Sequence, residues 1–120
     1  DINFKSETDK SDNIKKEKKY LAYFMRNKTG LKKVIDKDEY KIGRSETSVD
    51  FIVTENSHIG RYHAKIIKKE NKYYLIDNNS LNKTRLNYHI LEPQKEYLLS
   101  NGDIIQLSNE KFTFSLEESD

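Results

Sequence analysis

The apolar residues of this 120-residue chain fall into short runs separated by turn residues, and this spacing restricts the possible folds severely. No window of about twelve residues or more follows the 3.6-residue period of a helix. Turns are expected at Asn27-Lys28-Thr29-Gly30, at Glu70-Asn71 and at Asn101-Gly102, where the apolar runs are interrupted. Short strands at close spacing with turns between them are typical of a β-sandwich or a β-barrel.

Nine segments have the composition of strands. In the first, residues 20–25, apolar side chains occupy both alternating positions, which suits a strand with apolar groups on both faces. We predict hairpins around Glu70-Asn71 and around Asn101-Gly102, because both residues of an Asn-Gly turn tolerate positive φ. The nine predicted strands cover residues 20–25, 31–35, 40–42, 51–53, 64–67, 73–76, 98–99, 104–107 and 112–116.

The length predicts one folded domain, over residues 18–118, preceded by a polar linker over residues 1–17. The linker has only three apolar residues, Ile2, Phe4 and Ile14, so it cannot bury enough surface to offset the entropy of ordering it. The chain begins with Asp1 rather than Met, and we expect it to be a piece of a longer protein.

Composition excludes several classes of protein. The 22 basic and 20 acidic residues give a net charge of +2, which argues against nucleic-acid binding by bulk electrostatics. The absence of cysteine excludes disulfides and thiolate zinc sites and favours a cytoplasmic, intracellular location. The three histidines do not form a ligand spacing, so no metal or other cofactor is expected. No apolar run approaches the ~18 residues that span a bilayer, although a longer parent protein could still carry a membrane anchor.

Polar motifs follow the predicted strands where loops should begin. They supply guanidinium groups, a side-chain amide and backbone N–H groups, which are the donors that hold an oxyanion such as phosphate. Taken singly, each motif is also compatible with an ordinary polar turn that satisfies its own backbone. The motifs are Gly43-Arg44, Gly60-Arg61-Tyr62-His63-Ala64, Ser80-Leu81-Asn82-Lys83-Thr84 and Asn87.

No catalytic apparatus accompanies these motifs. Ser57, His63 and Asp77 could be named as a triad, but Ser57 lies in no nucleophile elbow. Asp77 is better explained as a residue that fixes the loop at the end of its strand. The chain also lacks the GxxxxGK[ST] loop that cradles nucleotide phosphates. We therefore expect a binding module rather than an enzyme.

The order and spacing of the motifs resemble the forkhead-associated (FHA) domain over about residues 20–117, including the closing segment Leu99-Ser100-Asn101-Gly102-Asp103-Ile104-Ile105. The resemblance implies an all-β, FHA/SMAD-like fold, a two-sheet antiparallel β-sandwich of about eleven strands. It also implies recognition of phosphothreonine peptides in Ser/Thr kinase signalling. The expected partner is a phosphothreonine-containing protein or peptide. We expect no binding of nucleic acid and no direct contact with a membrane. The domain is expected to be monomeric.

The resemblance also implies roles for individual residues. Arg44 and Arg61 would carry the phosphate charge, helped by the Gly60 N–H. Asn82 would order the ligand backbone, and the backbone of Leu81 would contact the phosphate region. Lys83 and Arg85 would add positive potential at the rim of the site. The remaining motif residues are expected to be structural, namely Gly43, His63, Thr84, Asn87, Gly102 and Asp103.

Two positions depart from the family pattern. Gly60 stands where the family has a serine whose hydroxyl binds phosphate, and Lys83 replaces a glycine. A phosphate-independent interaction module on the same fold is therefore an alternative, supported mainly by Gly60. A nucleic-acid-binding domain is a weaker alternative, since its cations lack an interleaved series of stacking aromatic residues. Those cations are Arg44, Arg61, Lys65, Lys83 and Arg85.

Overall fold

The computed structural model describes residues 18–119, which contain eleven strands and no helix. All nine predicted strands are confirmed, and the predicted linker over residues 1–17 lies outside the described residues. The strands are β1 (Lys19–Arg26), β2 (Lys32–Val34), β3 (Glu39–Gly43), β4 (Phe51–Ile52), β5 (Ala64–Lys69), β6 (Lys72–Asp77), β7 (Thr84–Leu86), β8 (His89–Ile90), β9 (Tyr97–Leu98), β10 (Ile104–Leu107) and β11 (Glu110–Ser119).

The strands form two sheets, and the predicted β-sandwich is confirmed. The six-stranded sheet has the order β2-β1-β11-β10-β7-β8, and the five-stranded sheet has the order β4-β3-β5-β6-β9. The described strands pair antiparallel with one exception, since β4 runs parallel to β3. The longest pairing joins β1 to β11 from Lys19–Ser119 to Arg26–Phe112, so the first and last strands lie side by side.

An aromatic cluster joins the two sheets in the core. Phe24 of β1, Phe112 of β11 and Phe51 of β4 are fully buried. The Phe24 and Phe112 rings stack at 5.1 Å, and the Phe51 ring meets Phe24 edge-on at 4.9 Å. Edge-to-face and stacked pairs of this kind contribute stability beyond the area they bury. Because β4 follows the loop that begins at Arg44, this cluster also anchors the far end of that loop.

One predicted hairpin is confirmed and the other is wrong. Glu70 and Asn71 connect β5 to β6 with φ of 51° and 66°. At Asn101-Gly102, however, β9 belongs to the five-stranded sheet and β10 to the six-stranded sheet. Only Gly102 has positive φ there, and its N–H donates to the Phe114 carbonyl at 2.8 Å, which draws the chain across to the other sheet.

An unpredicted hairpin joins β7 to β8. Its two-residue turn consists of Asn87 and Tyr88, with φ of 49° and 74°. Both residues therefore adopt the left-handed region that an Asn-Gly turn would have favoured. No strong signal for this hairpin is present in the sequence, because β7 and β8 have only three and two residues.

Candidate functional site

Three loops meet at one end of the sandwich. Loop A covers residues 44–50 between β3 and β4, loop B covers residues 53–63 between β4 and β5, and loop C covers residues 78–83 between β6 and β7. Loops A and B are bonded backbone to backbone, since the Arg44 and Ser45 N–H groups donate to the Gly60 and Arg61 carbonyls at 3.0 Å. The site therefore begins as a continuous surface of paired loops.

Gly43 permits this close approach of loops A and B. A Cβ at that position would lie 2.2 Å from the Arg61 carbonyl oxygen and 2.8 Å from the Gly60 carbonyl oxygen. Real Cβ atoms do not come so close to backbone, so any side chain here would push loop B away from the end of β3. Glycine is therefore required here because there is no room for a side chain, and not because of the backbone conformation, since φ is not positive.

The turn after Arg44 is closed by Ser45, a residue that the sequence did not single out. Ser45 is buried, and its Oγ accepts from the Ser48 N–H at 3.1 Å and from the Thr47 N–H at 3.3 Å. The Ser48 hydroxyl donates to the same oxygen at 2.6 Å. Serine side chains commonly close turns in this way, and the spacing of Ser45 and Ser48 was the only signal available.

The Arg44 guanidinium is held along one edge. Its Nε donates to the Ile59 carbonyl, and the side chain is half-buried. Within residues 18–119 the structure gives its two terminal nitrogens no hydrogen-bond partner. A guanidinium fixed through Nε presents these two nitrogens as a preorganised fork for an oxyanion.

His63 connects loops B and C at their base. It is fully buried; its Nδ1 accepts from the Gly60 N–H at 2.9 Å, and its Nε2–H donates to the Lys83 carbonyl at 2.9 Å. Burial lowers the pKa of the imidazole, an effect only partly opposed by the Lys83 carbonyl and the nearby Asp77. The neutral ring with its proton on Nε2 fits both bonds.

The same bond changes the expected role of Gly60. Its N–H, which the sequence assigned to phosphate, already donates to His63 Nδ1. Gly60 therefore contributes a backbone position at the edge of the site, and a phosphate contact there would need a further donor. A side chain could be accommodated, because a Cβ on Gly60 would come no closer than 3.6 Å to His63 and φ is not positive.

Loop C is built around Asp77, and the predicted loop-fixing role of this residue is confirmed. Its Oδ1 accepts from the Ser80 hydroxyl and from the Thr84 hydroxyl, the latter at 2.6 Å. Its Oδ2 accepts from the Ser80 N–H at 3.1 Å. Ser80 and Thr84 thus serve the loop itself, and the residues between them are presented to solvent.

Those residues provide the outward groups of loop C. Leu81 is 88% exposed, and the Asn82 Nδ2 donates to the His58 carbonyl at 2.7 Å, which ties loop C to loop B a second time. Lys83 has a φ of 73°, and its carbonyl accepts from His63 and from the Ser108 N–H. Lys83 is exposed, while its carbonyl is engaged by two hydrogen bonds.

The other predicted residues lie farther from the loops. Arg85 is on β7, in register with Gln106 of β10 and Ile90 of β8. Asn87 bonds Asp103 Oδ1 at 3.1 Å and accepts from the Ile104 N–H at 3.0 Å, so it fixes the start of β10, with Gly102 beside it. Loops A, B and C therefore bring together Arg44, Gly60, Arg61, Leu81, Asn82 and Lys83, whereas Arg85 lies outside the three loops on β7.

Positive charge at this end is not neutralised by neighbouring acids. Lys37, Lys65 and Lys69 each pair with a carboxylate elsewhere on the surface. Among the ion pairs of the described residues, none involves Arg44, Arg61 or Lys83. Cations without an ion-pair partner, on loops joined by hydrogen bonds and next to the Asn82 side-chain amide, are suited to binding an anion. Over residues 18–119 there is no cluster of three potential metal ligands and no helix able to cross a membrane.

Comparisons with known proteins give one family. The family model described as FHA domain matches residues 40–108. Mycobacterium tuberculosis EmbR, in complex with a low-affinity phosphopeptide, is 22% identical with a TM-score of 0.74 over 83% of this chain, which spans 25% of that protein. The MEK1 FHA domain in complex with a HOP1 phosphothreonine peptide is 29% identical with a TM-score of 0.68, covering 80% of this chain and 96% of that one.

An FHA domain structure from a study of phosphothreonine-dependent interactions is also similar. It is 22% identical with a TM-score of 0.72, and the match covers 81% of this chain and 97% of that one. A search of curated proteins found no match. The chain therefore corresponds to a whole domain in some of these structures and to about a quarter of EmbR.

The burial of His63 predicts a pH-dependent stability. The pKa of this residue is lowered in the folded state and returns to about 6.5 on unfolding, so the unfolded chain binds more protons below that pH. The free energy of unfolding should fall as the pH drops below about 6.5, by at most about 1.4 kcal/mol per pH unit. Urea unfolding between pH 7.5 and 5 would measure it.

The matched variant is His63→Ala. It should lose about 1–3 kcal/mol at neutral pH, because the Gly60 N–H and the Lys83 carbonyl lose a buried partner. Its pH slope should be smaller than that of the wild type, because all other titrating groups are common to both proteins. Identical slopes would show that His63 does not titrate on unfolding.

Lys83 predicts a stabilising substitution. A left-handed conformation costs a lysine about 1–2 kcal/mol and glycine far less, while glycine loses more entropy on folding. Lys83→Gly should therefore raise the free energy of unfolding by about 0.5–1 kcal/mol. Lys83→Met, which keeps the strain and removes the charge, should leave it unchanged. A less stable Lys83→Gly in urea unfolding would contradict this explanation.

Proposed function

The chain belongs to the FHA domain family, and we propose that its three loops bind a phosphothreonine-containing segment of a partner protein in Ser/Thr kinase signalling. The observation that carries the proposal is the Arg44 guanidinium, held at Nε by the Ile59 carbonyl with its terminal nitrogens directed to no protein partner among residues 18–119. The phosphopeptide complexes of EmbR and of the MEK1 FHA domain support the same function here.

Each exposed group at the loops has a proposed part in binding. Arg44 forks the phosphate and Arg61 supplies a second cation. Asn82 keeps its carbonyl oxygen and one amide hydrogen for the ligand backbone, since only one N–H is used on His58. Lys83 and Arg85 add positive potential at the rim, and exposed Leu81 offers backbone and apolar contact to the peptide.

The alternative of phosphate-independent binding is supported by one specific observation. Gly60 has no hydroxyl, and its N–H is already bonded to His63, so two donors expected for phosphate are missing. A ligand that relies on shape and on the exposed Leu81 would need neither. We keep this as the second candidate function.

The wider proposal is recognition without turnover by a monomeric domain over residues 18–118 of a longer cytoplasmic protein. Both nitrogens of His63 are bonded to backbone and Asp77 is bonded to Ser80 and Thr84, so neither is arranged to activate Ser57. The net charge of +2 favours a peptide over nucleic acid or an anionic membrane surface. The linker over residues 1–17 remains a prediction.

A titration series separates these functions. Matched peptide libraries that carry phosphothreonine, phosphoserine or unmodified threonine would be titrated into the protein, with a single-stranded oligonucleotide as control. We expect binding of the phosphothreonine library alone. Equal binding of the unmodified library would favour the phosphate-independent function, and tight binding of the oligonucleotide with a steep salt dependence would favour nucleic acid.

Arg44→Ala should abolish phosphopeptide binding. Two charge-assisted bonds are lost, each contributing roughly 1.5–3 kcal/mol, while stability should fall by only about 1 kcal/mol for the bond to Ile59. Arg44→Lys is the matched control, since it keeps the charge but not the fork, and should bind with intermediate affinity. Calorimetric titration with melting temperature followed alongside measures both effects. An affinity unchanged within about twofold would remove Arg44 from the site.

Gly60→Ser should strengthen binding. The position has no positive φ and open space for a Cβ, so a serine can be introduced without backbone strain. Its hydroxyl would supply one further charge-assisted bond to phosphate, which corresponds to about tenfold in affinity. Gly60→Ala is the control that adds the Cβ without the hydroxyl and should bind like the wild type. Equal or weaker binding by a stable Gly60→Ser would place the phosphate-independent function first.

A further inference from the structure

A buried ion pair lies beneath loop B and joins two neighbouring strands of the six-stranded sheet, β1 and β11, to this loop. Arg26 of β1 and Glu110 of β11 are 4% and 7% exposed and bond side chain to side chain, with Arg26 Nη2 and Glu110 Oε1 at 3.0 Å. Arg26 Nη2 also donates to the Thr54 carbonyl at 2.8 Å. Loop B thus starts from a point fixed in the interior.

Asn56 extends this fixed point into loop B. Its Nδ2 donates to Glu110 Oε1 at 2.9 Å, and its Oδ1 accepts from the His58 N–H at 3.0 Å. Its carbonyl accepts from the Ile59 N–H at 3.2 Å. One side chain therefore uses both its donor and its acceptor, one toward the core and the other toward the turn of residues 56–59.

The two residues that this turn orients hold two side chains of the proposed site. The His58 carbonyl accepts from Asn82 Nδ2 at 2.7 Å, and the Ile59 carbonyl accepts from Arg44 Nε. Neither carbonyl could keep its direction if the turn relaxed. The orientation of Arg44 and of Asn82 therefore depends on the same short segment.

We propose that Asn56 is a positioning residue for ligand binding, which orients Arg44 and Asn82 through the carbonyls of Ile59 and His58 without touching the ligand. The predicted effect of Asn56 on ligand affinity rests on the proposed function. Its effect on the two side chains can be measured in the free protein.

The chemistry of the position favours asparagine. Burial by itself raises the pKa of Glu110, but hydrogen bonds from Arg26 and Asn56 outweigh it and hold the pKa below its ordinary value. The carboxylate therefore stays charged and needs a donor from Asn56, while the His58 N–H needs an acceptor. Aspartate would place a second carboxylate against Glu110, and alanine would supply neither group.

The test compares Asn56→Ala with Asn101→Ala. Asn101 is a matched control, since its Oδ1 also accepts a backbone N–H, that of Leu116 at 2.8 Å, in the turn before β10 and away from loops A, B and C. Two quantities are measured on each protein: the affinity for a phosphothreonine peptide library, and the NMR signals of the Arg44 Nε–H and the Asn82 side-chain amide without ligand.

We expect Asn56→Ala to bind about fivefold to tenfold more weakly and to move both side-chain signals toward their unfolded values. Asn101→Ala should change neither quantity. In Asn56→Ser the hydroxyl can still accept from the His58 N–H, so this variant should partly restore both the affinity and the two side-chain signals. It also replaces Asn56→Ala in the test if that variant does not fold.

The inference is overturned if the variant keeps wild-type affinity, or if affinity falls while both side-chain signals stay at their wild-type positions. If the wild type binds no phosphothreonine peptide, the proposed function fails, and the signals of the free variant still test the positioning role.

Discussion

The buried imidazole of His63 is the contact on which the loops depend. With one nitrogen on the Gly60 N–H and the other on the Lys83 carbonyl, it fixes the distance between loops B and C from the inside. Only a neutral ring with its proton on Nε2 can make both bonds, and burial favours that state. Because Gly60 also accepts from the Arg44 N–H, all three loops are linked through this one side chain and its partners. The cations of the site therefore project from a backbone that is already in place before a ligand arrives, which reduces the entropy lost on binding.

Most of the fold could be predicted from the sequence because its strands alternate and its turns carry suitable residues. The failure at Asn101-Gly102 has a physical cause: a turn signal specifies a local bend but not which sheet each flanking strand joins. There, the Leu99 N–H pairs with Tyr73 in one sheet and the Gly102 N–H with Phe114 in the other. The strands of the Asn87-Tyr88 hairpin were not predicted, because two or three residues are too few to show an alternating pattern. Their place in the sheet comes from the pairing of β7 with β10 rather than from their own composition.

The candidate site could be located from the sequence, but its internal bonds could not. Arg44, Asn82 and Lys83 lie together at the loops, whereas the occupied N–H of Gly60 and the turn closed by Ser45 emerged only from the structure. Asn56 was missed for a related reason. Its importance depends on Arg26 and Glu110, which are far apart in sequence and whose pairing leaves no local pattern. The positive φ of Lys83 agrees with the resemblance, in which a glycine occupies this position.

Phosphothreonine binding at the terminal nitrogens of Arg44 is the core of the proposed function. The most direct measurement is an NMR titration of the ¹⁵N-labelled protein with a phosphothreonine peptide library and its unmodified counterpart, following the Arg44 side-chain signals and the ³¹P signal together. If phosphate binds at Arg44, the phosphorylated library alone shifts the signals of the Arg44 guanidinium and of the Asn82 and Lys83 amides, with saturation at the same concentration as the ³¹P change. Equal shifts with both libraries, or ³¹P changes without any response at Arg44, would contradict it.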